Sequence, residues 1–113
     1  MSSADSSRPD ADERRAHDHA ARLRYELERA IQHADTAQAE LDEALADPGV
    51  IQEDRDAAAR LLEHARGQLE SARTAMAHLE AGTYGRCETC GGDIGEERLA
   101  ALVNVTTCVN CAG

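Results

Sequence analysis

The sequence predicts a mainly α fold: a long antiparallel α-helical coiled-coil hairpin followed by a small C-terminal four-cysteine zinc finger. Three observations predict it. Two apolar series in 4,3 spacing flank the breaker Asp47-Pro48-Gly49, and two Cys-x-x-Cys pairs, Cys87/Cys90 and Cys108/Cys111, stand near the end of the chain. The third is composition. The 113 residues include no Phe, no Trp and only Tyr25 and Tyr84, too few large side chains for a thick core. Twenty-two alanines, 22 acids and 12 arginines without a lysine instead match the composition of long helices. The expected organisation is a disordered tail over 1–9, the hairpin over 10–81 with its tip near 47–49, and the finger over 82–113.

Residues 1–9 are Ser- and Asp-rich with nothing to bury, which predicts the disordered tail. Asp10 with Glu13 three places on forms a capping-box pattern and starts the first helix. Along it Ala16, Ala20, Leu23, Leu27, Ala30, Ala34, Ala37, Leu41 and Ala44 place an apolar seam of period 3.5 on one face. The residue before proline is pushed out of the α region, so this helix should end near Ala46. Pro48 then suits the first position of a second helix capped by Asp47.

The second seam runs Ile51, Arg55, Ala58, Leu62, Ala65, Leu69, Ala72, Met76 and Leu79, with Arg55 the exception to its apolar character. An arginine there can snorkel its head to water near a coiled-coil end. Folding the chain at the tip sets Ala44 against Ile51, Ala37 against Ala58, Leu27 against Leu69 and Ala16 against Leu79. The alanines let the helices approach closely, in a hairpin about 40 Å long. Gly67 lies off the seam and reads as a tolerated surface glycine at a cost of ~1 kcal/mol. Gly82 is expected as the left-handed cap that ends the second helix.

Four thiolates in two close pairs can close a tetrahedron around one Zn²⁺ at about 2.3 Å, so Cys87, Cys90, Cys108 and Cys111 are the candidate metal ligands. Gly91 and Gly92 follow the first pair, where the backbone must bend its amides back towards sulfur and a Cβ would obstruct it. Within the finger, Gly95–Leu102 reads as a short helix and Val103–Thr107 as extended. A closed four-cysteine site leaves zinc no open position for substrate, and no His-x-Glu offers a general base. A thiol relay needs a βαβ setting that this helical sequence lacks. No enzyme is expected.

The formal charge of −10 repels a duplex phosphate backbone, and four thiolates on Zn²⁺ make the finger more acidic still. No apolar run reaches the ~20 residues of a membrane span, and the N-terminus lacks the basic and apolar regions of a signal peptide. A cytoplasmic protein follows as the expectation, and a reducing compartment favours metal over disulfides. His17, His19, His33, His64 and His78 are scattered along the helices without forming a ligand cluster, and are expected at the surface. The acids Asp42, Glu43, Asp47, Glu53, Asp54 and Asp56 crowd the tip, where acids in a helix's first turn are also ordinary partners of its dipole.

The run from Tyr84 through Cys87, Cys90 and Gly91, then Ile94-Gly95, Arg98-Leu99, Ala101 and Cys108-Val-Asn-Cys111, resembles the C4 zinc finger of the DksA/TraR family. The preceding hairpin resembles that family in architecture. The resemblance implies a transcription regulator that binds RNA polymerase directly and inserts its coiled-coil tip into the secondary channel, near the catalytic Mg²⁺, with the finger bracing the base. It implies binding to polymerase without a need for DNA; no direct DNA binding and no membrane partner are expected, and we expect a monomer. The family's tip motif is Asp-x-x-Asp-x-Ala. Counting back from the cysteines sets its second Asp at Asp47 but leaves Ala44 and Gly49 at the other positions, while the nearest local echo is Glu53-x-x-Asp56-x-Ala58. Asp47, Glu53 and Asp56 are therefore the candidate partner-binding residues of the tip.

Two further departures bear on function. The helix that usually follows the last cysteine does not appear before Gly113. Ser71, Leu102 and Ala112 occupy positions where studied members carry the cations of a ppGpp site, so ppGpp binding is not expected. Two other readings compete: an adaptor of the same fold that pairs with another protein through its hairpin, and a DNA-binding finger.

Overall fold

The computed structural model describes residues 11–112, apart from the side chains of Ala11, Asp12 and Ala16. The expected tail and the Asp10 half of the capping box lie outside the described residues. Among the described residues the helices are α1 (Ala11–Ala46), α2 (Gln52–Ala81) and the short α3 (Glu96–Ala101). At 1.5 Å per residue, α1 and α2 are about 54 and 45 Å long. They pack against each other in antiparallel fashion, with Arg66 Nη2 donating to Gln38 Oε1 at 2.7 Å across the middle and Leu23 meeting Ala75 near the base. The molecule is a rod of 74 × 32 × 21 Å.

The 4,3 pattern folds as it does because only one narrow stripe of each helix can be covered by the other. Leu23, Ala30, Ala34 and Ala37 are buried on α1, as are Leu62, Ala65 and Ala72 on α2. Ala34, Ala37, Leu62 and Ala65 form the central layer, with Leu41 and Leu69 packed against them. At the tip the seam gives out. Ile51, expected opposite Ala44, is 58% exposed, because it is the non-helical residue that leads into α2. At the base the seam widens, since Ala75, off the predicted stripe, is 1% exposed beneath Val103 of the finger.

α1 ends at Ala46, as the Asp-Pro pair predicts, but the start of α2 differs from expectation. Asp47 and Pro48 are not its cap and first residue. They belong to a turn in which Val50 N donates to Asp47 O at 3.2 Å, and α2 begins four residues later at Gln52 without a side-chain cap. The Asp47 carboxylate instead accepts from Gly49 N at 2.9 Å, an Asx turn that competes with helix capping for the same oxygen. α2 stops at Ala81, where Gly82 adopts φ 78 and gives its amide back to His78 and Leu79 carbonyls. Gly67 is exposed, with open space where a Cβ would stand.

A four-cysteine metal centre and an acidic tip

The first cysteine pair is shaped by its own backbone. Gly91 N donates to Cys87 O at 2.8 Å, Cys87 N to Gly92 O at 2.7 Å, and Gly92 N points at Cys90 Sγ from 3.4 Å. Gly91 has φ 76, which L side chains rarely adopt, and this rather than crowding explains the glycine: a Cβ there would meet nothing within 4 Å. In the second pair Cys111 N and Ala112 N both donate to Cys108 O, at 3.1 and 3.0 Å. Glu88 N donates to Thr106 O at 2.9 Å and joins the two halves.

The four sulfur atoms lie within 4.8 Å of one another, and Cys90 Sγ stands 3.8 Å from Cys108 Sγ. A tetrahedron with 2.3 Å metal–sulfur bonds has sulfur–sulfur edges of about 3.8 Å, so the donor set fits one Zn²⁺. The same distance is far too long for a disulfide, and all four cysteines are free. Amide hydrogen bonds from Cys108 and then Cys90 pull the Cys87 thiol down to about 6. Hydrogen bonding to Cys108, Cys87 and Cys90 pushes Cys111 up to about 12. A divalent cation among them would favour all four thiolates at once and supply the cross-link that holds both knuckles.

Around the sulfurs the finger has a small core of Ile94 and Leu99 with buried Cys87 and Cys108. α3 is present over Glu96–Ala101, inside the predicted span, and Arg98 Nε donates from it to Thr107 O at 3.0 Å. The stretch expected to be extended is different. Val105 N closes a turn onto Leu102 O at 3.0 Å, and this turn drives Val103 into the hairpin base beside Leu23 and Ala75. Among the described residues the finger holds no strand, only an isolated bridge between Arg86 and Asp93.

The junction between finger and hairpin is built from side chains that the sequence reading assigned to the surface or left unassigned. Tyr84 Oη donates to Val103 O at 2.8 Å, and burial pushes its phenol pKa up, against the lowering effect of Arg22. His19 lies against Tyr84 with ring centroids 5.2 Å apart and its Nε2 3.4 Å from Glu96. Arg22 Nη2 reaches Ala100 O at 2.8 Å, closing the C-terminal end of α3. His78 stands 2.8 Å from Thr83 Oγ1 and 3.5 Å from Glu88. Two of the five histidines are thus joint residues, while His17, His33 and His64 are exposed.

At the other end of the rod Asp47 is exposed in the turn, Glu53 in the first turn of α2, and Asp56 one turn further, where it accepts from Gln52 Nε2 at 2.8 Å. The head of Arg55 is held by backbone carbonyls. Its Nε donates to Ala44 O at 3.3 Å and its Nη2 to Asp47 O at 3.0 Å, which explains an arginine at an apolar seam position.

Residues 82–113 match the prokaryotic dksA/traR C4-type zinc finger. The fold of the chain is similar to that of transcription factor DksA2 from Pseudomonas aeruginosa, with a TM-score of 0.77 and 25% identity over 94% of this chain and 88% of that one. An uncharacterised protein of Aquifex aeolicus (strain VF5) is 47% identical over 38 residues, a match spanning 34% of this chain and 26% of that protein. A DksA-like fold carrying a DksA/TraR finger points to a DksA/TraR-type transcription factor. Among the described residues no helix is long and apolar enough to cross a membrane.

The DksA/TraR finger was legible because its ligands are local pairs, whereas the joint was not. His19 and Glu96 are separated by 77 residues, and no local pattern links them. The one signal available was Tyr84 itself, one of two aromatics in the chain and placed just ahead of the first cysteine.

Proposed function

We propose that this protein regulates transcription by binding RNA polymerase directly, from the cytoplasm, as a monomer and without contacting DNA. The observation that carries the reading is the likeness to transcription factor DksA2 over 94% of the chain, hairpin included, together with the finger match. Cys87, Cys90, Cys108 and Cys111 hold one structural Zn²⁺, which stiffens the finger against the hairpin base. The rod then enters the secondary channel tip first and presents Asp47, with Glu53 and Asp56 on its flank, to the enzyme's catalytic region. The acidic charge of −10 opposes contact with duplex phosphate.

The test is binding to purified core polymerase, paired with transcription assays on Asp47→Asn. Asparagine keeps an oxygen for the Gly49 amide and removes the charge, so the fold is retained. Binding is expected to survive, because the flank and finger supply most contact area, while the transcriptional effect weakens. Full activity of Asp47→Asn with loss of activity on finger-surface substitution would replace the channel mechanism with the adaptor reading.

A further inference from the structure

The end of α1 is an unfavourable place in this chain. Its final carbonyls have no intrahelical donors, and a helix C-terminus carries partial negative charge that basic side chains normally offset. The last turn of α1 contains no basic residue, and it carries Asp42 and Glu43 close by. Between Asp42 and Asp56 the sole cation is Arg55, and it arrives from the facing helix. Its stem is partly buried at a seam position, and its guanidinium bridges Ala44 O inside the helix end and Asp47 O in the turn beyond. Asp47 O accepts from Val50 N as well, and Asp47 Oδ1 accepts from Gly49 N.

We infer that Arg55 is the positioning residue of the hairpin tip, a clasp that closes the α1 terminus onto the turn and fixes the direction in which Asp47 is presented. Arginine is suited to this because its planar fork reaches two acceptors at once, whereas lysine offers a single point of charge. Two of its donors, Nε and Nη2, are spent on backbone carbonyls. The structural half of the inference stands on these hydrogen bonds alone. The functional half rests on the proposed insertion of the tip into polymerase.

The experiment compares Arg55→Ala, Arg55→Lys and, as a control for lost charge, Arg60→Ala at an exposed site of α2. Amide exchange at Val50 and the Cα chemical shifts of Ala44 and Ala46 report the clasp. Core-polymerase affinity and the transcriptional effect at saturating protein report its use. Loss of one hydrogen bond corresponds to about fivefold, so Arg55→Ala should speed Val50 exchange by about fivefold or more, with Arg55→Lys between it and the native protein. The saturated effect should fall while affinity stays within about twofold, and Arg60→Ala should change neither. Unchanged exchange and shifts in Arg55→Ala would overturn the clasp. A loosened turn with an undiminished saturated effect would overturn its role in presenting Asp47. Should the native protein fail to bind polymerase, the proposed function falls, and the exchange data still decide the clasp.

Discussion

Among the described residues Leu23 is the largest fully buried side chain, and it lies where α1, α2 and the finger meet. Its neighbours Ala75, Val103 and Tyr84 come from both long-range partners, so truncation opens a cavity that no one element can collapse to fill. Leu23→Ala is expected to cost about 2–5 kcal/mol, measured as a lower urea midpoint. The residue was legible as a seam position, but nothing local distinguished it from Leu27 or Leu41, which stay partly exposed. Asp47 shows the reverse case. Its position at the tip was readable from the Pro-Gly pair, yet its carboxylate serves an Asx turn instead of the helix cap expected of it. Either use satisfies one orphan amide, and the local geometry of Gly49 decides between them.

Among the elements, α2 and the finger lend themselves to opposite tests. Gly67 interrupts α2 with open space around its missing Cβ and an ordinary helical conformation, so alanine has nothing to displace. Gly67→Ala is expected to stabilise the hairpin by up to ~1 kcal/mol, seen as a raised urea or thermal midpoint, with no effect on metal content. The finger's apolar core is small, centred on Ile94 and Leu99, and its two knuckles bring their sulfurs within 4.8 Å of one another. Metal analysis should return about one zinc per chain. Chelation should then raise amide exchange across 82–112 far more than across α1 and α2, since the finger draws its folding energy from the metal. Equal loss in both regions would contradict this separation. The 4,3 spacing made the hairpin readable because covering one stripe needs only periodicity, while the turn at Leu102–Val105 was read as extended because its shape comes from docking Val103 on the hairpin.

Taken whole, the molecule is an acidic rod with a braced base and a clasped tip. Ser71, Leu102 and Ala112 are all exposed and none is cationic, so these three positions supply no paired cations for an anion such as ppGpp. Transcription assays with and without ppGpp are therefore expected to overlay, and a large nucleotide-dependent gain would refute the prediction. The joint that fixes the rod's base depends on contacts between distant parts of the chain. Arg22 reaches α3, His19 meets Tyr84 and Glu96, and Tyr84 Oη holds Val103 O. Together they make the direction of the finger relative to the hairpin a property of the entire chain.

What the sequence determined by itself was whatever depends on spacing along the chain: two seams of period 3.5, the helix stop at Ala46, the left-handed cap at Gly82, and two thiol pairs suited to one metal. Helical periodicity and knuckle spacing are properties of neighbours a few residues apart, and they survive whatever surrounds them. The tertiary structure alone decided that Ile51 is exposed, that Ala75 is covered, that His19 and His78 belong to a joint, and that Arg55 turns its head onto the end of the other helix. Each of these depends on which groups the fold brings near an unsatisfied carbonyl or an uncovered apolar face. A buried polar group or helix end takes the partner that lies within about 3 Å in space, however far along the chain that partner stands.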